Sequence, residues 1–472
     1  MAKILMVASE ATPFIKTGGL ADVVGALPAA LKARGEDVAV VLPLYRDARV
    51  DGARRVAEKL DVWLGLAHYS VNVQMAVERD VPYFFVECPS LYDRKGVYVD
   101  AAGDFPDNHI RFAVLAKAAL ASARHVFRPQ ILHCHDWQAA LAPVYLRTAL
   151  AGDPTFLGVK TLLTIHNLGY QGIFAPSALP EIGLDPALLT IDRLEFLGDL
   201  SVLKGGIVYS DAISTVSKGY AREIQTPEYG FRMDGLLRAR SSVLTGILNG
   251  VDYSAWNPET DVHLAAHYSL DDLRGKKACK LDLLRQFGLP DEAAGRPLIG
   301  IVSRFARQKG FDLIEQAASG LLDEDASLVA LGTGEPRYEE MFRNLAAAYP
   351  GKVAVRIAYD NPLAHKIEAG ADIFVMPSRY EPCGLNQIYS LRYGTVPVVR
   401  ATGGLDDTID EDTGFKFSEY SSQALLASLR DALAAWRDRR RWETLMRNGM
   451  RKNFSWNASA AEYSALYRRL LA

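Results

Sequence analysis

The chain has 472 residues, 49% of them hydrophobic and 23% charged, with a formal net charge of -3. That length allows two or three domains with large cores, and the near-neutral balance leaves no electrostatic footprint for nucleic acid or an anionic membrane. Cys88, Cys134, Cys279 and Cys383 lie far apart and form no C-x-x-C pair, no apolar run is long enough to span a bilayer, and the start does not read as a leader, so a cytoplasmic protein is expected.

The first apolar run, residues 3–8, leads through Lys16-Thr17-Gly18-Gly19-Leu20-Ala21-Asp22 into helical spacing over 20–34. In that order of strand, glycine loop and helix, backbone N–H groups and the positive end of a helix dipole can meet an anion. Lys16 adds a mobile charge, so the loop reads either as a phosphate cradle or as an ordinary turn of a Rossmann-like unit. It is not the G-x-G-x-x-G fingerprint, and no acid ends the second strand, 37–42, where a ribose would be gripped. A nicotinamide dehydrogenase is disfavoured.

Strands at 70–77, 82–86, 130–134, 160–165 and 211–216 alternate with helices at 108–125 and 138–150. The alternation predicts a parallel sheet with helices on both faces. His133-Cys134-His135-Asp136 has the composition of a metal cluster, but alternate side chains of a strand point to opposite faces, and no metal is expected there. A strand end better suits His135, Asp136 or Trp137 lining a cleft. His166, in Thr164-Ile165-His166-Asn167-Leu168-Gly169-Tyr170, sits in the same context and reads equally as structural or catalytic.

Turn formers crowd residues 245–258, a crossing between domains, and from about residue 296 the α/β pattern restarts. Strands follow at 298–303, 327–331, 352–357, 373–377 and 396–399, and helical spacing returns over 458–470 after a break at 453–457. Ligand sites belong at the carboxyl ends of such strands and in the cleft between the halves. Arg304 and Lys309, with Gly310, are either a phosphate-holding pair or a solvated basic turn. Gly332-Thr333-Gly334 is a weaker glycine loop. In Pro377-Ser378-Arg379-Tyr380-Glu381-Pro382-Cys383-Gly384-Leu385 a strand ends and Gly384 opens a helix through 386–393, so that N–H groups can face a diphosphate while Glu381 accepts from sugar hydroxyls.

Together, KTGGLADVVGALP, HCHDWQ, TIHNLGYQG, ILNGVDYSAWNP, SRFARQKG, PSRYEPCGL and GTVPVVRATGGLDDTI resemble the bacterial glycogen synthases, relatives of the plant starch synthases, in order over essentially the whole chain. The resemblance implies the GT-B fold, two Rossmann-like α/β domains facing a deep cleft. Residues 1–245 would form the acceptor side, 246–453 the nucleotide-sugar side, and 454–472 a helix crossing back to the N-terminal domain. It implies transfer of glucose from ADP-glucose, with retention, to the non-reducing end of an α-1,4-glucan. The two halves would have to close, so an empty enzyme should be open.

Position by position, the resemblance places Lys16, Gly18 and Gly19 near the donor phosphates and the acceptor, and Arg304 and Lys309 on the diphosphate. It places His166 beside the transferred glucose, Asn249 in the hinge motif, Glu381, Cys383 and Gly384 in the glucose-binding loop, and Tyr359 on adenine. Asp22, Asp136, Asn167, Leu385, Thr402, Gly403 and Gly404 join the substrate-binding set. The chain departs from the family at Gln138, usually histidine, and Asp406, usually alanine. No cofactor is implied, and no Asp-x-Asp pair ends a strand beside the donor residues, so cations and helix N-termini are expected to neutralise the diphosphate without a metal. The alternatives are a UDP-glucose-using synthase, a pyridoxal-phosphate-dependent phosphorylase and a non-catalytic glucan-binding protein. Tyr359 could stack on either base.

Overall fold

The computed structural model describes residues 1–101 and 103–472, and the chain divides into two compact units. One comprises Met1–Val216, Ala221–Gly250 and Trp456–Ala472; the other comprises Ser217–Tyr220 and Val251–Ser455.

The first unit is built on a nine-stranded sheet whose strands run, edge to edge, Leu244–Gly246, Ala212–Thr215, Lys160–Ile165, Ile131–His135, Lys3–Val7, Asp37–Pro43, Val81–Glu87, Ala67–Glu78 and Arg54–Leu64. The first seven are parallel, and the last two pair antiparallel. This hairpin corrects the expectation of a parallel sheet throughout. Arg79 and Asp80 alone join two of its strands, at left-handed φ of 48° and 62°, a reversal with no room for a crossover helix. The edge strand Arg54–Leu64 goes unpredicted because it is largely exposed and carries Arg54, Arg55, Glu58, Lys59 and Asp61, which suits an unpaired edge but leaves little hydrophobic period to read. The helix expected over 138–150 is also divided, into Asp136–Ala139 and Leu141–Arg147.

The last helix, Trp456–Leu471, packs against Gly19–Ala33 within this unit, where Tyr463, Leu466 and Tyr467 share a core with Val23, Leu27 and Leu31. Burying each such apolar side chain contributes roughly 1.5–3 kcal/mol.

The second unit has six parallel strands in the order Val353–Ile357, Ser327–Gly332, Leu298–Val302, Ile373–Met376, Val396–Arg400 and Phe415–Phe417. Ile299, Ile301, Leu328, Ala330, Ile373 and Val375 enter the core on one face. Leu298, Val329, Leu331 and Phe374 enter the core on the other. Burial on both faces is why these strands read as unbroken apolar runs. Among the described residues, no helix is long and apolar enough to cross a membrane.

Gly250 ends a segment of the first unit, and a Cβ there would stand 2.4 Å from Trp456 Cα and 2.5 Å from Trp456 N. Backbone must move to admit a methyl group, so Gly250→Ala should destabilise the fold by about 1–3 kcal/mol, read as a lowered midpoint in thermal or denaturant unfolding. An unchanged midpoint would show that the two segments part freely.

Candidate active site

Strand Lys3–Val7 leads into the loop that opens helix Gly19–Ala33, and Glu10 is buried in that loop. Its carboxylate accepts from the Thr17 N–H, from the Thr17 hydroxyl at 2.9 and 3.0 Å, and from the Gly18 N–H and the Tyr98 hydroxyl at 3.2 Å. The anion that faces these amides is therefore the chain's own. Sequence reasoning passes over both Glu10 and Tyr98, because only the folded loop brings them to the glycines. Lys16 Nζ reaches both carboxylate oxygens of Asp22, at 2.7 and 2.8 Å, in a solvent-facing pair of the kind worth about 1 kcal/mol or less. A Cβ on Gly19 would meet nothing within 4 Å, so the fold itself leaves space there.

Two neighbouring strands, Ile131–His135 and Lys160–Ile165, end in the next group. His133 and His135 share one face, with ring centroids 4.2 Å apart, as alternation along a strand requires. His133 is held by the Tyr467 hydroxyl at 2.8 Å and the Thr164 hydroxyl at 2.6 Å, and His135 Nδ1 lies 3.0 Å from His166 Nε2. Burial keeps these rings neutral: it pushes His133 and His166 down to about 3, and His135 well below its ordinary value with help from the other two. Asp136, at a left-handed φ of 54°, accepts the His166 N–H at 2.7 Å. Burial pushes its carboxyl up to about 7, against the lowering pull of the N–H groups of His166 and Asn167.

Beside this group lies a cavity of about 510 Å³. Phe105, Trp137, Tyr170, Phe174 and Phe231 supply its aromatic lining, and Asp104, Asn108 and Arg232 supply polar groups. Gly172, at φ 60°, lets the loop lie on the indole of Trp137, where a Cβ would come within 2.5 Å of Cε3. The sequence points to Trp137 and carries Tyr170 within its motif, with Phe174 four residues on, whereas Phe105 and Phe231 come from distant segments with no motif of their own. Asn249 and Gln138 are both buried, each with a side-chain oxygen that has no hydrogen-bond partner among the described residues.

In the second unit, Arg304 follows strand Leu298–Val302, is exposed, and touches Gln308 Oε1 at 3.3 Å. Gly310 adopts φ 79° and passes so close to Pro377 that a Cβ would lie 2.0 Å from its carbonyl oxygen. That approach lays the basic turn against the loop carrying Glu381. Lys309 Nζ stands 2.5 Å from Glu381 Oε2, which also accepts the Ser378 hydroxyl at 3.1 Å. The Glu381 carbonyl accepts the Gly404 N–H at 3.0 Å, and a Cβ on Gly404 would lie 2.0 Å from the carbonyl oxygen of Cys383. Gly384, at φ 70°, and Leu385 precede helix Asn386–Arg392, while Thr402 precedes Gly403–Thr408. Asp406 pairs with Lys416 at 2.7 Å, and Tyr359 is 84% exposed just beyond Val353–Ile357. Among the described residues no group of three or more His, Cys, Asp or Glu is placed to hold a metal ion.

Residues 3–239 match the starch synthase catalytic domain family, and residues 287–448 match glycosyl transferases group 1. The chain is 51% identical to the glycogen synthase of Koribacter versatilis, over 99% of this chain and 98% of that one. It is 48% identical to the glycogen synthase of Myxococcus xanthus, with 99% of each covered. Its structure is similar to the catalytic domain of starch synthase IV from Arabidopsis thaliana bound to ADP and acarbose, with a TM-score of 0.91 and 32% identity over 100% of this chain and 99% of that one. A sucrose-phosphate synthase from Thermosynechococcus elongatus shares the fold alone, with a TM-score of 0.62 and 18% identity over 100% of this chain and 99% of that one. The chain belongs to the family of bacterial glycogen synthases and starch synthases, glycosyltransferases of GT-B fold.

The folded chain keeps the Asp136 proton where the unfolded chain releases it, so this group takes stability away as pH rises from its ordinary 3.8 to about 7. Asp136→Asn removes that loss. The melting temperature of the variant minus that of the parent should therefore climb across this window, and a flat difference would show an unshifted carboxyl.

Proposed function

We propose that this chain elongates an α-1,4-glucan, transferring glucose from ADP-glucose to the glucan's non-reducing end with retention of configuration. The Lys309–Glu381 pair is the observation that carries the reading: a buried carboxylate for sugar hydroxyls, bonded to an ammonium at 2.5 Å beside a strand-to-helix turn. That the Arabidopsis relative is described with ADP and acarbose bound supports a nucleotide and a glucan as the two ligands.

Breaking the glucosyl–phosphate bond builds positive charge on the sugar ring and negative charge on the departing diphosphate. Arg304 and Lys309 stabilise the latter as fixed cations that need no reorganisation, each charge-assisted hydrogen bond contributing about 1.5–3 kcal/mol. Tyr359 stacks on adenine, and Cys383, Gly384, Leu385, Thr402, Gly403 and Gly404 supply close backbone to the donor. Lys16, Gly18, Gly19 and Asp22, with Asn249, complete the donor and acceptor contacts, the open space at Gly19 suiting a ligand. The aromatic cavity beside Trp137 takes the glucan, whose sugar faces stack on its rings.

The two candidate carboxylates are already engaged, Asp136 by the His166 N–H and Glu381 by Lys309 and the Ser378 hydroxyl, so neither is offered free to the sugar carbon. We therefore assign same-face attack. The acceptor hydroxyl oxygen bonds to C1, the bond from C1 to the phosphate oxygen breaks, and the hydroxyl proton passes to the leaving diphosphate. The neutral His166 and its neighbour Asn167 face the electron-poor sugar.

Incorporation of labelled glucose into glycogen from ADP-glucose and from UDP-glucose, side by side, tests the reading. A clear preference for ADP-glucose is expected, and equal or better use of UDP-glucose would overturn the donor assignment. Arg304→Ala and Lys309→Ala should each lower kcat by about 10- to 100-fold, the rate equivalent of one lost charge-assisted hydrogen bond, while glucan affinity changes far less. Lost glucan affinity with normal turnover would move both residues to the acceptor side.

A further inference from the structure

His135 closes strand Ile131–His135, is fully buried, and places Nδ1 3.0 Å from His166 Nε2. Its other nitrogen, Nε2, is buried with no hydrogen-bond partner among the described residues. The neighbouring, tilted ring of His133 cannot supply one, since its own two nitrogens are engaged by Tyr467 and Thr164. His166 differs: it is half-buried, and its Nδ1 makes no hydrogen bond to the described protein.

Between two neutral imidazoles one nitrogen donates and the other accepts. If His166 were the donor, His135 would carry its proton on Nε2 and bury an unsatisfied N–H. If His135 donates from Nδ1, its Nε2 is a bare nitrogen, and orphaned buried N–H groups are the rarer and more costly case. His166 then carries its proton on Nδ1, the nitrogen that remains open to a ligand.

We infer that His135 is a positioning residue: by donating from Nδ1 to His166 Nε2 it fixes the ring and tautomer of His166, so that His166 offers an N–H donor to a hydroxyl oxygen of the transferred sugar. The identity of that sugar rests on the proposed glucosyl transfer; the tautomer does not.

Selective ¹⁵N-histidine labelling of the full chain, with His166→Gln to assign the signal, reads the tautomer at neutral pH. His166 should be protonated at Nδ1. His135→Phe keeps a ring without a donor, whereas His135→Asn keeps an N–H donor at the position of Nδ1. The Phe variant should lose the tautomer preference and lower kcat about 10- to 100-fold, as removal of an orienting partner does elsewhere, with a much smaller change in KM for the nucleotide sugar. The Asn variant should recover most of that rate. Protonation of His166 at Nε2 in the parent chain, or equal losses in the two variants, would overturn the inference. If the parent chain transfers glucose from neither ADP-glucose nor UDP-glucose, the functional reading falls while the tautomer measurement still decides the role of His135.

Discussion

A parallel sheet buried on both faces leaves little place for a charged side chain except at the ends of its strands. In the second unit that constraint decides where chemistry can occur. Arg304 comes two residues after Leu298–Val302, Tyr359 two after Val353–Ile357, and Thr402 two after Val396–Arg400. Ser378 comes two residues after Ile373–Met376, and Glu381 three further on in the same loop. The loops themselves are packed backbone against backbone, Gly310 on Pro377 and Gly404 on Cys383, at distances that exclude any side chain. Those contacts convert separate strand ends into one fixed set of polar groups.

The first unit makes one exception, and it is a fully partnered one. His133, Thr164 and Ser214 lie on three adjacent strands, all fully buried, and are linked through the Thr164 hydroxyl at 2.6 Å to each neighbour. Tyr467 of the last helix completes the row by bonding His133. A satisfied polar network in a low-dielectric core rewards a single arrangement, because any slip leaves a buried group unpaired. Helix Trp456–Leu471 is thus held in register by hydrogen bonding as well as by apolar burial. The same row supports the ring of His135 and, through it, that of His166.

How legible this was in the sequence follows from what each feature depends on. Five of the six strands of the second unit announce themselves as apolar runs, and their expected spans lie within a residue of those found at either end, whereas Phe415–Phe417, three residues with an exposed lysine at the centre, goes unpredicted. The hairpin Ala67–Glu78 and Val81–Glu87 reads as two strands, but its antiparallel direction hangs on the two-residue turn at Arg79 and Asp80 and not on the strands' own pattern. Arg304, Lys309 and Glu381 stand out by type and punctuation, yet the bond from Lys309 to Glu381 spans 72 residues and no local pattern encodes it. Glu10 carries no signal in the sequence because its partners are backbone N–H groups and hydroxyls brought to it by a turn. Adenine stacking at Tyr359 is implied by family resemblance alone and not by residue chemistry.

The bond from Lys309 to Glu381 raises a question about charge. A carboxylate at 2.5 Å offsets much of an ammonium's attraction for a phosphate, so pairing them in a site proposed for a diphosphate looks self-defeating. Donor arithmetic removes the difficulty. An ammonium carries three N–H donors, and Glu381 is the only protein partner of this one among the described residues, so two remain for phosphate oxygens. Arg304 likewise engages Gln308 through one nitrogen and keeps the rest of its fork. Counted together, Arg304, Lys309 and Glu381 leave a net charge of +1, too little to over-bind a diphosphate ester in its ground state. On the proposed chemistry the leaving group gains negative charge as the bond to C1 breaks, and the two cations then hold it harder than before. Meanwhile the Glu381 charge favours the positive sugar ring. An interaction that strengthens only as the bond breaks accelerates the reaction, whereas one that holds substrate and transition state equally does not. On that proposal the ion pair moderates binding without weakening the step that matters.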